Sequence, residues 1–326
     1  MVELAKSGRT PKDLITKEVL ENAIMFDMAV AGSTNAVLHI LAYAYELGID
    51  LTLADFEKYA KEIYCINAVI PSGPYTVVDF HYAGGVKNVM KMLEKKLHTS
   101  APTIYGNTWQ DILDTVTPRE NEVIHSLDHP VAKEPGLKIL RGNISPEGAI
   151  VRPTAVFEEV KYIKGAAKVF EGDQAAYEAI MSGNIVPGDI IVIRYEGCKG
   201  APGMKELMLS IDALIGLELH KSVGLITDAR FSGFNYGAIV GHVSPEAYDG
   251  GVIALIENGD MIEMDITGGC VNLLVSDEEL AERKKNWVRP PFKQQKGVLN
   301  IYAQMCQPAE RGGAMQPWGL DAKYRV

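Results

Sequence analysis

The chain has no long basic run. Its 326 residues carry a formal net charge of −10, so nucleic acid and anionic membrane surfaces are repelled rather than attracted. An anionic substrate therefore needs local cations or a bound metal. No apolar run approaches the length that spans a bilayer. The opening Met1-Val-Glu-Leu-Ala-Lys lacks the shape of a secretory signal. There is no CxxC pair either. Cys65, Cys198, Cys270 and Cys306 are widely scattered, which reads as free thiols in a reducing cytoplasm and makes no zinc or cluster site by spacing alone. Internal repeats and low-complexity tracts are missing too. What remains is ordinary globular composition, 47% hydrophobic and 23% charged with mean hydropathy near zero. The length suggests two domains, each large enough for its own core.

The early part of the chain has helical spacing. Thr10-Pro11 and Thr16 offer helix starts, and the apolar pattern predicts helices over 18–30, 36–47, 55–64 and 88–97, with Gly48 as a C-terminal cap. Between 100 and 150, prolines and glycines accumulate (Pro102, Pro118, Pro130, Pro135, Gly136, Gly142, Pro146, Gly148). The domain change is placed there, giving 1–125 and 126–326. Strand-like runs follow at 149–151, 166–169, 190–193, 223–226, 252–256, 261–266 and 271–275, with helical stretches at 174–182, 206–217 and 277–285. Many short strands and few helices predict a barrel-like sheet.

One stretch is more informative than the rest: Thr227-Asp-Ala-Arg-Phe-Ser-Gly-Phe-Asn-Tyr-Gly-Ala-Ile-Val-Gly-His-Val-Ser-Pro-Glu-Ala. An apolar run delivers the backbone to Asp228, Arg230 and Ser232, and Gly233, Gly237 and Gly241 follow. Such glycines let a backbone wrap closely around a small polar ligand, and a serine just past a strand end can face a cavity. A Gly-rich hairpin with a surface serine fits the same letters.

Other landmarks stand in order around it: Leu140-Arg-Gly-Asn-Ile-Ser-Pro-Glu-Gly-Ala, Gly183-Asn-Ile-Val-Pro-Gly-Asp, Ile193-Arg-Tyr-Glu-Gly-Cys-Lys-Gly-Ala-Pro-Gly-Met-Lys-Glu, Leu274-Val-Ser-Asp-Glu-Glu-Leu and Trp287. Upstream lie Gly32-Ser-Thr-Asn-Ala-Val-Leu-His, Pro71-Ser-Gly and Ala83-Gly-Gly. In this order the chain resembles the dihydroxy-acid and sugar-acid dehydratase family over nearly its whole length. The resemblance implies a cytoplasmic hydro-lyase that eliminates water from a 2,3-dihydroxy carboxylate to give a 2-keto acid. Branched-chain dihydroxy acids and sugar acids (aldonates) are both open as substrates. A non-catalytic binding or assembly subunit lacking the cluster is the competing reading.

The implied fold is α/β (α+β). Residues 1–125 correspond to the mostly helical end of a catalytic α/β domain, and 126–326 to a β-barrel-like domain with short helices. Family members look nearly twice this long, with an iron–sulfur cluster and most magnesium ligands held by an N-terminal region. The expectation is that this N-terminal half is missing here. Mg2+ would then take one ligand from this chain, the cluster ligands would be absent, and the chain would work with an N-terminal half, a partner subunit or as a homo-oligomer. Without a partner, the apolar faces of Ile24 to Val30 and Val37 to Ala44 would be exposed patches.

Residue by residue, the resemblance makes Ser232 the base, acting as an alkoxide that needs a nearby cation and backbone donors. It makes Glu206, just after Pro202-Gly-Met-Lys, a magnesium ligand; the plain alternative is a glutamate favoured in a helix's first turn. Arg230 and Lys199 are candidates for the substrate carboxylate. Ser33, Thr34 and Asn35 either line the cavity or form an ordinary helix cap. Asp228, Gly233 and His242 are structural groups near the site. The chain departs from the family at Cys198, where proline is more usual, and at Ala201 and Ala229, where glycine is.

Overall fold

The computed structural model describes residues 2–316. It divides into two compact units, Met1–Leu137 and Lys138–Val326.

The first unit is helical: α1 (Val2–Lys6), α2 (Pro11–Leu14), α3 (Lys17–Val30), α4 (Thr34–Leu47), α5 (Leu53–Ala60), α6 (Val77–Tyr82), α7 (Gly85–Met92) and α8 (Trp109–Leu113). Thr16 caps α3 by accepting from Val19 N–H, and Gly48 ends α4 in the left-handed region at φ 68°, where only glycine is free of Cβ strain. Helix α3 packs on α4, α5 and α7. Leu20, Ile24, Met25, Met28, Val37, Leu38, Leu41 and Ala44 are buried. The expectation that the faces of Ile24–Val30 and Val37–Ala44 stand exposed for a partner is thus corrected: this chain buries them itself. Exposed apolar side chains occur instead on α6, at Val77, Val78 and Tyr82.

The second unit is built on β1 (Lys138–Leu140), β2 (Gly148–Val151), β3 (Tyr162–Phe170), β4 (Ile190–Ile193), β5 (Glu206–Leu207), β6 (Gly224–Thr227), β7 (Arg230–Phe231), β8 (Ala238–Ser244), β9 (Met261–Asp265) and β10 (Cys270–Leu273). Its helices are α9 (Asp173–Met181), α10 (Leu209–Gly216), α11 (Asp277–Asn286) and α12 (Val298–Met305). Eight strands form one sheet in the order β1-β2-β8-β6-β4-β3-β9-β10. A parallel bridge between Arg141 and Cys270, with Arg141 N–H on Gly269 O at 3.0 Å and Val271 N–H on Arg141 O at 2.8 Å, brings the two edges together. The sheet is therefore a nearly closed barrel, which removes its open edges.

Strand β4 reads Ile-Ile-Val-Ile and is buried throughout, because both of its faces are covered. Ile190 and Val192 join one apolar cluster with Leu140, Val151, Ile226, Val240 and Met264. Ile191 and Ile193 join a second with Leu225, Phe231, Ala176 and Ile180 of α9, and Ile211 and Leu214 of α10. Strands β3, β4, β6 and β8 run parallel. Their carboxyl ends lie on one rim, the place where parallel sheets ordinarily present ligand-binding loops.

Two sequence expectations fail here. Residues 252–255 form a 3-10 turn, not a strand. Glu206 is not in a helix: it lies in β5, and α10 begins at Leu209, capped by the distant Asp173, which accepts from the N–H groups of Met208, Leu209 and Ser210.

Candidate active site

The loops after β4 and β6 meet on this rim. Ile193 and Thr227 pair at the ends of their strands. Beyond them a second, two-stranded sheet pairs β5 with β7 in parallel, setting Glu206 against Arg230 and Leu207 against Phe231. Ser232 follows immediately. It is half-buried, and its Oγ accepts the N–H of Phe234 at 3.3 Å. The structure thus brings Ser232, Arg230 and Glu206 to one place, although 25 residues of loop, helix and strand separate Glu206 from Ser232 along the chain.

The cations near the serine have internal partners. Arg230 Nε donates to Met204 O at 2.6 Å, and a terminal nitrogen donates to Gly203 O at 3.1 Å. The guanidinium therefore closes the Pro202–Met204 turn that leads into Glu206. Lys199 Nζ lies 2.6 Å from Asp249 Oδ2. A third cation was not foreseen: the buried Arg152 donates to the carbonyl of Gly233. Gly237 N–H bonds Ala155 O at 2.9 Å. The segment after β2 thereby holds both ends of the turn that carries Ser232. The only warning in the sequence was one arginine after the apolar run Ala149-Ile-Val.

Two glycines of the turn serve packing rather than ligand approach. A Cβ on Gly241 would sit 2.6 Å from the Phe231 ring, and one on Gly237, at φ 104°, would sit 2.6 Å from His220 O. His242 is buried, edge-on to Phe231, and its N–H bonds Ala229 O at 2.9 Å. It has φ 55° where the β2–β8 register shifts, a bulge of the kind that re-aims a strand beside a site.

Two carboxylates are buried below the rim. Asp228, fully buried, accepts from Tyr195 N–H (3.1 Å), Glu196 N–H (3.0 Å) and Ala247 N–H (2.9 Å). Glu246 is 2% exposed and accepts from Lys199 N–H and Gly200 N–H, at 3.0 and 2.8 Å to Oε1. Burial raises both: Asp228 to about 6, against the pull of its backbone donors, and Glu246 to about 8, helped by the charge of Asp228.

Ser33, Thr34 and Asn35 belong to the first unit, at the start of α4. Ser33 is its cap, accepting from Asn35 N–H, and Thr34 is buried.

For a divalent metal, Glu206 is a half-buried carboxylate of the type magnesium takes one or two of. Among the described residues no group of three or more His, Cys, Asp or Glu gathers to hold a metal. Among the described residues the thiols do not gather with other ligand groups in threes. Cys198 is packed 3.5 Å from Met204 Sδ, and burial pushes the Cys198 and Cys306 thiols up, Cys306 to about 12. Protonated thiols are poor ligands.

Comparison with known proteins gives the family. The model of the dihydroxy-acid/6-phosphogluconate dehydratase C-terminal region matches residues 122–313, and that of the N-terminal region of the same dehydratases matches 1–112. The chain belongs to this dehydratase family. It is 44% identical over 319 residues to a dihydroxy-acid dehydratase of Clostridium novyi (strain NT), covering 97% of this chain and 58% of that protein. It is 44% identical over 320 residues to one of Ignicoccus hospitalis, with 97% and 58% covered, and 42% identical over 317 residues to one of Methanococcus aeolicus, again 97% and 58%. The chain therefore spans a little over half the length of these relatives. The expectation that the N-terminal half is missing is overturned by the N-terminal match over residues 1–112.

Proposed function

We propose that the protein to which this chain belongs eliminates water from a 2,3-dihydroxy carboxylate, as a dihydroxy-acid dehydratase, with Ser232 as the base. The pairing of β5 with β7 carries this reading: it sets a carboxylate ligand candidate, at the start of β5, opposite Arg230, two residues before the serine. Ser232 takes the proton from C2. The freed electron pair forms the C2–C3 double bond as the C3 hydroxyl leaves, and the resulting enol tautomerises to the 2-keto acid. The C2 proton is weakly acidic, so base and leaving-group assistance must act together. A magnesium ion held in part by Glu206 would supply Lewis-acid polarisation of the departing oxygen.

The chain's own residues supply orientation. Phe234 N–H directs a lone pair of Ser232, Arg152 fixes the following carbonyl, and Arg230 holds the turn before Glu206. The test is keto-acid formation from a panel of branched-chain 2,3-dihydroxy acids and aldonates, with Ser232→Ala as the matched control. Turnover of a branched-chain dihydroxy acid that disappears in Ser232→Ala supports the proposal. Turnover that survives the substitution removes Ser232 as the base, and turnover of aldonates alone reassigns the substrate.

A further inference from the structure

We propose that Glu246 is a positioning residue, whose carboxylate holds the Lys199–Gly200 backbone so that Glu206 keeps its place beside Ser232. This rests on the reading of Ser232 and Glu206 given above.

In the sheet, β6 lies between β4 and β8. All three carboxyl ends are tied together by two acids. Asp228, at the end of β6, reaches outward to both neighbours: to Tyr195 and Glu196 beyond β4, and to Ala247 beyond β8. Glu246, beyond β8, reaches across to the loop beyond β4. There Oε1 takes the N–H groups of Lys199 and Gly200, and Oε2 lies 3.1 Å from Lys199 N. A Cβ on Gly197 would stand 2.5 Å from Oε2, so the carboxylate fills the space that a side chain at 197 would need. The loop then runs through Gly203 and Met204, which Arg230 grips, into Glu206. Each link is backbone, and each grip comes from the stretch that carries Ser232.

Among the described residues, the hydrogen-bond donors to these two acids are backbone N–H groups. Lys199 contributes its N–H to Glu246 and its ammonium to Asp249. Burying a carboxylate without a cation is costly, and an apolar or amide side chain would hold a loop in a less demanding way. What the acid adds is a convergent acceptor for two successive N–H groups, which fixes the direction of the backbone as well as its position. A dehydratase needs that, because misplacing a reacting group by about 1 Å lowers turnover about 10²-fold.

The test uses the full-length protein and compares wild type with Glu246→Gln and Glu246→Asp. Amide exchange is read at Tyr195, Glu196, Lys199 and Gly200, with kcat, KM and the melting temperature measured alongside. In Glu246→Gln, protection of Lys199 and Gly200 falls about tenfold, a loss on the scale of one buried hydrogen bond, while Tyr195 and Glu196 stay protected by Asp228. In the same variant kcat drops about 10- to 100-fold with KM within about twofold, the pattern of a lost transition-state geometry. Glu246→Asp, which keeps the carboxyl group and shortens the reach, does not restore kcat. A folded Glu246→Gln with unchanged exchange and unchanged kcat overturns the proposal. So does protection lost evenly across the barrel, which marks a purely structural acid. If the wild type turns over no dihydroxy acid, the reading of the reaction falls, and the exchange result still decides whether Glu246 clamps the loop.

Discussion

Replacing Glu246 with glutamine should flatten the pH dependence of stability in the neutral range. Its carboxyl is raised from 4.5 to about 8 in the folded chain, so between those values the native state binds a proton that the unfolded state has released. Stability tied to this proton is full below about 4.5 and is lost as pH rises through about 8, because the unfolded state binds fewer protons over that interval. At about 1.4 kcal/mol per pH unit, the whole window amounts to about 5 kcal/mol. Asp228 contributes with the same sign, but its rise stops at about 6, so the range from pH 6.5 to 8.5 isolates Glu246. Over that range the wild type should lose about 2 kcal/mol more than Glu246→Gln. Urea unfolding at constant ionic strength measures the difference. Reading Trp287 fluorescence in a Trp109→Phe, Trp318→Phe background confines the signal to the barrel unit, where the indole N–H donates to the Tyr195 hydroxyl. Parallel pH profiles for wild type and variant would refute the reasoning. They would mean that the acid stays ionised in the fold and that burial is compensated by its backbone donors.

Other expectations follow from the same contacts. Ser232→Ala should lower turnover about 10³-fold or more with an unchanged circular dichroism spectrum, since among the described residues its Oγ accepts a single bond, from Phe234 N–H; a variant with most of its activity points to another base. Gly241→Ala places a methyl 2.6 Å from the Phe231 ring and should destabilise by about 1–3 kcal/mol, read as a shift in the urea midpoint without a change in slope. Asp173→Ala removes the acceptor for three backbone N–H groups and the Ser210 hydroxyl at the start of α10. It should lower stability by about 1–3 kcal/mol, and Asp173→Asn should recover part of that loss.

What could be read from the letters was local, and what escaped was long-range. Helices α3 and α4 follow from apolar spacing plus caps that lie within a few residues, Thr16 for one and Ser33 with Gly48 for the other. Strand β4 follows from four β-branched residues between turn signals. The run at 252–255 has the same apolar letters and is buried at Ile253, Ala254 and Leu255, yet it is a 3-10 turn, because burial alone does not set the period of a short segment. Strand β8 was hidden for the opposite reason. It is buried at every position and so has no alternation, and its Gly241-His242 pair looks like a turn while forming a bulge. Glu206 was expected at a helix start because the acid that caps α10, Asp173, lies 33 residues upstream, beyond any local pattern. The serine and the glutamate of the candidate site were picked out by the family resemblance rather than by spacing, and the clamp behind them was not picked out at all. Asp228 reads as a turn residue, and Glu246 as one acid between a proline and an alanine. Their function as acceptors appears only when β6 is seen between β4 and β8. A lone acid or base inside an otherwise apolar stretch, as at Arg152 and Glu246, is the sign that would have exposed both, since such a residue is buried only where the fold supplies partners for it.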